Sequence, residues 1–135
     1  MSVRDVLIIG AGPSGLATAI AAKHFGLDYV VLEQGSLVDG IARFPINMVF
    51  FTTPELLEIG GIPLTSPYDK PTRAEALQYY RKVVDTFQLQ VSLFEQVVSP
   101  RSRQLDKEAA ERTIAGLAAL SIRLQAVLVR SRLRG

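Results

Sequence analysis

One stretch leaves this chain few ways to fold: DVLIIGAGPSGLATAIAAKHFGLDYVVLE, from Asp5 to Glu33. Val6 to Ile9 is a short apolar run of the kind that forms a buried parallel strand. Gly10, Gly12 and Gly15 follow in the spacing G-x-G-x-x-G. Leu16 to Phe25 is alanine-rich and helical in propensity. A second apolar run ends on Glu33, 18 residues past Gly15. Strand, glycine turn, helix, strand and acid together make a dinucleotide-binding βαβ unit.

Each part has a physical role. Gly10 permits the tight turn off the first strand, Gly12 lets a pyrophosphate approach the backbone, and Gly15 lets helix and sheet pack closely. The helix aims its N-terminal amides and dipole at the phosphates. Glu33 is placed to accept hydrogen bonds from ribose hydroxyls, and an acid there argues against a ribose 2′-phosphate. The spacing does not separate FAD from NAD. A glycine-rich turn in an α/β protein that binds no nucleotide is the competing reading.

Composition narrows the chemistry. The length of 135 residues suits one domain. There is no cysteine, so disulfides, CxxC redox pairs and thiolate metal sites are excluded, and no metal site is expected. That absence fits a cytoplasmic protein. The single histidine, His24, lies at the far end of the helix from the glycine turn and reads as a partly solvated helix-end residue. Val6 to Ala22 is free of charge for 17 residues, but glycines and a proline interrupt it, so neither a membrane span nor a signal peptide is expected. Charge is uneven: residues 1–100 carry 7 Lys/Arg and 10 Asp/Glu, a net −3, whereas residues 101–135 carry 8 and 3, a net +5. All ten aromatic residues precede position 95.

Further along, the first helix should run from Pro13 or Ser14 to Phe25, with Leu16, Ala17, Ile20, Ala21 and His24 on its apolar face and Gly26 ending it. Leu27 to Leu32 is the second strand. Residues 36–53 form a long connection too apolar for disorder. Within it, Met48 to Phe51 either covers a flat aromatic ring or packs in the core. Pro54 suits a short helical turn, and Gly60-Gly61 a tight turn. Thr72 and Glu75 spell a capping box opening a helix to about Phe87, with Ala76, Leu77, Tyr80, Val83, Val84 and Phe87 on its apolar face. Leu89 to Phe94 alternates as a third parallel strand, and Val97 and Val98 are candidates for a following one. Leu105 to Leu120 has helical propensity, and Ser121 to Val129 reads as strand or helix.

Several separate blocks resemble one family: GAGPSG, Glu33-Gln34-Gly35, RFP-x-x-M-x-FFTT from Arg43 to Thr53, LEIGGIP from Leu57 to Pro63, and KPTRAEALQYYRKVV from Lys70 to Val84. These are similar to the YpdA-type flavoproteins, thioredoxin-reductase-like enzymes described as bacillithiol disulfide reductases. The resemblance spans residues 3 to 98. It implies a Rossmann-like FAD/NAD(P)-binding domain of α/β class with a central parallel sheet, present here in incomplete form. It further implies FAD in this domain, NADPH in a second domain that this chain lacks, and a low-molecular-weight disulfide as acceptor. Carried over by position, Gly10, Ala11, Gly12, Pro13, Ser14 and Gly15 would cradle the pyrophosphate. Glu33, with Gln34 and Gly35, would hold the adenosine ribose, and the block from Asp39 to Thr53, with Gly40, Ile41, Met48, Phe51 and Thr52 named in it, would line the flavin. No catalytic residue is assigned.

Two departures stand out. Family members often carry a cysteine where this chain has Ser14, and a serine cannot form a mixed disulfide. The family's enzymes are also much longer. Residues 1–98 are therefore expected to be the N-terminal part of an FAD domain, and residues 99–135 an atypical basic tail, truncated or frame-shifted. A tail that binds an anionic polymer is the rival, but nucleic acid is not expected, since no aromatic residues interleave the basic ones. The alternatives to a disulfide reductase are a flavin monooxygenase-like domain and a non-catalytic nucleotide-binding module. A membrane partner is not expected, and homo-oligomerisation stays open.

Overall fold

The apolar runs flanking the glycine turn fold as neighbouring strands. A computed structural model describes residues 4–98 and 127–129. In it, β1 (Val6–Ile9) leads through the turn into α1 (Pro13–His24) and then β2 (Tyr29–Glu33). A short helix α2 (Asp39–Ala42) and a 3-10 turn (Pro54–Leu56) precede the long helix α3 (Arg73–Phe87). β3 (Val91–Leu93) and β4 (Val127–Val129) complete the described elements. The sheet order is β3-β2-β1-β4. The first three strands are mutually parallel, with Val6 opposite Tyr29 and Val31 opposite Val91. β4 runs antiparallel to β1, with Val129 opposite Val6.

Alternation along the strands decides what is buried. Val6, Ile8, Tyr29 and Val31 are buried, while Leu7, Ile9, Val30 and Leu32 are half-buried. The buried set packs with α1 through Leu16, Ala19 and Ala22 and with α3 through Ala76, Tyr80 and Val83. Both helices therefore share one face of the sheet, as two successive right-handed crossovers in one direction require.

The helix boundaries follow their end signals. α1 starts at Pro13, which needs no amide partner at a first helical position. Gly26, at φ 68°, follows the cap residue Phe25 and ends it. The capping box of α3 forms in both directions: Thr72 Oγ1 accepts from the Glu75 amide at 3.2 Å, and the Glu75 carboxylate accepts from the Thr72 amide at 2.6 Å. Two adjacent tyrosines fasten the preceding loop to α3. The Tyr79 hydroxyl donates to the Ile62 carbonyl at 2.7 Å and accepts from the Ile59 amide at 2.8 Å. The Tyr80 hydroxyl donates to the Leu57 carbonyl at 2.8 Å. Burial raises the pKa of both phenols.

On the expected apolar face of α1, Leu16, Ala17 and Ala21 are buried and Ile20 packs on the core, while His24 is exposed. Ala19 and Ala22, outside that expectation, join Leu16 in the core, because an alanine-rich helix has small residues on every side. Ala17, Ile20, Ala21 and His24 also line a groove against the Glu55–Gly61 loop. Two expectations need correction. β2 begins at Tyr29 and includes Glu33, not at Leu27. Val97 and Val98 form no strand, and Val98 is 90% exposed. The helix expected over residues 105–120 lies outside the described residues, as does all of the 121–129 segment except the strand β4.

Candidate dinucleotide site

The site begins where β1 ends. Gly10 sits at φ 98°, a backbone conformation that glycine alone enters freely. Its amide donates to the Leu32 carbonyl at 2.8 Å, extending the β1–β2 ladder into the turn. Gly15 is required by contact: a Cβ there would stand 1.9 Å from the Gly10 carbonyl oxygen. Gly12 is the opposite case, since a Cβ there would meet nothing within 4 Å. It would project into the open space in front of α1.

That space faces an uncompensated helix end. Gly12 is the N-cap residue, no side chain caps α1, and its first turn holds no acid. The Ser14 and Gly15 amides have no acceptor within the helix, because the first amides of any helix lack one. Amides at the positive end of a helix dipole suit an anion.

Glu33 closes the site from β2. Its Oε2 accepts from the Ala11 amide at 2.7 Å and its Oε1 from the Gly35 amide at 2.8 Å. The residue is 8% exposed, so the carboxylate is held inside the turn rather than in solvent. A carboxylate offers about four lone-pair sites, and two are filled. The other two remain for hydroxyls.

Two further residues, Val38 and Asp39, shape this corner. Val38 adopts φ 47°, a left-handed conformation that strains a β-branched residue by roughly 1–3 kcal/mol. Its amide donates to the Ala11 carbonyl at 3.0 Å. Ala11 is thus held from both sides, its N–H by Glu33 and its C=O by Val38. Asp39 accepts from the Ser36 amide and hydroxyl at 3.2 and 3.0 Å and pairs with Arg43. The bond from the Ser36 amide, then that from its hydroxyl, then Arg43, hold the Asp39 carboxyl below the usual range. The Ser36-x-x-Asp39 spacing was a readable signal for this local bonding. Nothing in the sequence marked Val38.

The residues expected to line the flavin are placed differently from one another. Gly40 is exposed within α2. Ile41, 7% exposed, turns its side chain into the core. Met48 is half-buried, as is Thr52. Phe51 is 97% exposed, while its neighbour Phe50 packs on the core and edge-on to Phe44. Gln34 is exposed beside the glutamate, and Gly35 lies over Asp39, whose carboxyl carbon a Cβ would meet at 2.5 Å. The glycine turn and Glu33–Gly35 form one compact corner, and the segment Met48–Thr52 is held separately against the start of α3. His24 is exposed at the far end of α1, as expected. Among the described residues, no cluster of metal-ligating side chains occurs, and no helix is long and apolar enough to cross a membrane.

Residues 7–109 match the family model described as pyridine nucleotide-disulphide oxidoreductase. The chain is 43% identical over 84 residues to bacilliredoxin reductase Bdr of Bacillus subtilis (strain 168), covering 62% of this chain and 26% of that protein. It superposes with a TM-score of 0.68 on the bacillithiol disulfide reductase Bdr (YpdA) from Staphylococcus aureus, at 42% identity over 69% of this chain and 29% of that one. A flavin monooxygenase from Stenotrophomonas maltophilia gives a TM-score of 0.64 at 30% identity, over 68% and 28% of the two chains. The chain thus spans about a quarter of the length of the curated relative. With the glycine turn, the acid and a matching model over most of its length, the chain belongs to the pyridine nucleotide-disulphide oxidoreductase family.

Proposed function

We propose that this chain is the FAD-binding portion of an NADPH-dependent flavoprotein disulfide reductase. The carrying observation is the Glu33 carboxylate held between the Ala11 and Gly35 amides beside an uncapped α1. In this reading the Ser14 and Gly15 amides hold the pyrophosphate, Gly12 leaves it room, and the free lone pairs of Glu33 take the adenosine ribose hydroxyls. Gln34 and Gly35 flank the ribose. Gly40, Ile41, Met48, Phe51 and Thr52 border the flavin, Ile41 through its backbone and Phe51 through its exposed ring. Bound FAD would supply hydride transfer from NADPH to a small disulfide, such as the bacillithiol disulfide named for the Staphylococcus relative. The chain's own part is to bind and orient.

With no cysteine, the chain cannot relay electrons through a thiol. Reduction would pass from the flavin to the substrate without a mixed disulfide at position 14. The similarity to a flavin monooxygenase favours a second reading, in which oxygen replaces the disulfide as acceptor. We further propose a domain boundary near residue 98, a dinucleotide and a small substrate as the partners, and a cytoplasmic setting.

Titration with ADP and with FAD tests the site. The expected result is saturable binding of both, weakened together by at least about tenfold in Glu33→Ala, in line with the loss of hydrogen bonds to a charged group. Absence of ADP binding overturns the reading. Retention of the flavin, followed by assays with NADPH and either small disulfides or oxygen on a full-length relative, separates the two acceptors.

A further inference from the structure

Arg73 occupies an awkward position for a cation. It is the first residue of α3, where the positive end of the helix dipole disfavours it. Its guanidinium nevertheless turns back across the fold, and Nη2 donates to the Ala42 carbonyl at 2.6 Å. Ala42 ends α2, so that carbonyl is one a helix terminus leaves without an internal donor. The backbone amide of the same arginine donates to the Met48 carbonyl at 2.9 Å. One residue thus grips both ends of the loop Arg43–Asn47, all five residues of which are exposed.

Neighbouring bonds extend the grip. Val49 bridges Thr72 in antiparallel fashion, and the Phe50 amide donates to the Pro71 carbonyl at 2.9 Å. The segment leading into Phe51 and Thr52 is therefore mounted on the capped start of α3. Arg73 Nε is buried and has no hydrogen-bond partner. That cost suits a guanidinium placed for what its other atoms hold.

We infer that Arg73 is a positioning residue that sets the flavin-bordering segment Gly40–Thr52 relative to the glycine turn. This rests on the reading of the site as an FAD site. Arginine is needed because a planar guanidinium reaches the Ala42 carbonyl along a fixed direction, whereas a lysine is a flexible point donor.

The test separates the two halves of the ligand. ADP engages only the glycine turn and Glu33, whereas FAD also needs the segment Arg73 holds. Arg73→Met keeps most of the side-chain stem and the backbone bond to Met48, and removes only the guanidinium donors that hold the Ala42 carbonyl. The expected result is ADP affinity within about twofold of wild type and FAD affinity weaker by about tenfold, the order of one lost charge-assisted hydrogen bond. Arg73→Lys should recover only part of the FAD loss. In the ligand-free chain, hydrogen exchange at the Arg43 and Phe44 amides, which close the end of α2 beside the Ala42 carbonyl, should quicken in Arg73→Met, while the Val38 amide should not change. Equal weakening of ADP and FAD, unchanged FAD affinity, or unchanged exchange at Arg43 and Phe44 would each overturn the inference. A wild-type chain that binds no ADP would instead sink the site reading, leaving the exchange measurement to decide whether Arg73 anchors the loop.

Discussion

Among single residues, two glycines of one motif make opposite demands. Gly15 is a packing requirement and Gly12 a ligand requirement, because an added Cβ meets the Gly10 carbonyl in the first case and open space in the second. Gly15→Ala should therefore lower stability by about 2–3 kcal/mol, the order for an overpacked core site, and shift the urea midpoint accordingly. Gly12→Ala should cost under about 1 kcal/mol, since only the helix cap changes. It should nevertheless abolish ADP binding in the same titration. Equal midpoints for the two variants would show that the turn is looser than its geometry. Glu33→Gln makes a third case at this scale. One of the two backbone amides at Glu33 would then face an amide nitrogen in place of an oxygen. The expected loss is about 1–3 kcal/mol in denaturant unfolding.

Among elements, α3 carries the bonds that organise the loops. Its capping box was legible in Thr72-x-x-Glu75 because both partners are local in sequence. The bonds of Tyr79 and Tyr80 to residues 57–62 were not legible, since they depend on where a long loop returns. The same holds for Arg73, whose carbonyl partner lies 31 residues earlier. The capping box makes a pH prediction. The Thr72 amide bond, with help from the Thr72 and Ser66 hydroxyls, holds the Glu75 carboxyl below its usual range. A carboxylate whose folded pKa is depressed stabilises fully above its unfolded value, near 4.5, and that contribution is lost as pH falls through the folded value. Asp39 acts in the same direction. Thermal stability should fall on acidification below that point. Glu75→Gln, which removes the titrating group, should flatten the fall, whereas Thr72→Ala, costing about 1 kcal/mol at neutral pH, keeps the amide and should leave most of it. The buried phenols act at the other extreme. Their raised pKa values mean stability is complete below the ordinary tyrosine value of 10 and is lost as pH rises beyond it. Tyr79→Phe should weaken that alkaline loss and cost about 1–3 kcal/mol at neutral pH, because the Ile59 and Ile62 groups lose their partner.

For the whole molecule, the sheet shows how far periodicity reaches. Three parallel strands and two crossover helices follow from the alternating runs, the glycine turn and the handedness of the connections. The fourth strand did not follow, because Val127–Val129 lies in a segment whose period fits strand and helix alike. Its pairing matters for the edge of the sheet. β4 covers the outer side of β1 along Val6, Leu7 and Ile8. The described apolar core cluster draws on residues from Val6 to Val91. Ending the chain after residue 98 should leave that α1–α3 core in place while exposing a row of unpaired amides and carbonyls on β1. An uncovered edge invites pairing with another chain. Such a chain should keep ADP binding but self-associate as concentration rises, visible as growing mass in light scattering after size exclusion. A Lys substitution at Leu7, whose side chain lies on the half-buried face, should suppress that association by placing a charge on the edge. A monodisperse shortened chain would mean that β1 needs no cover from β4. Loss of ADP binding together with loss of helical circular dichroism would mean that residues beyond 98 are part of the folding unit, and the proposed boundary would move toward residue 109, where the family match ends.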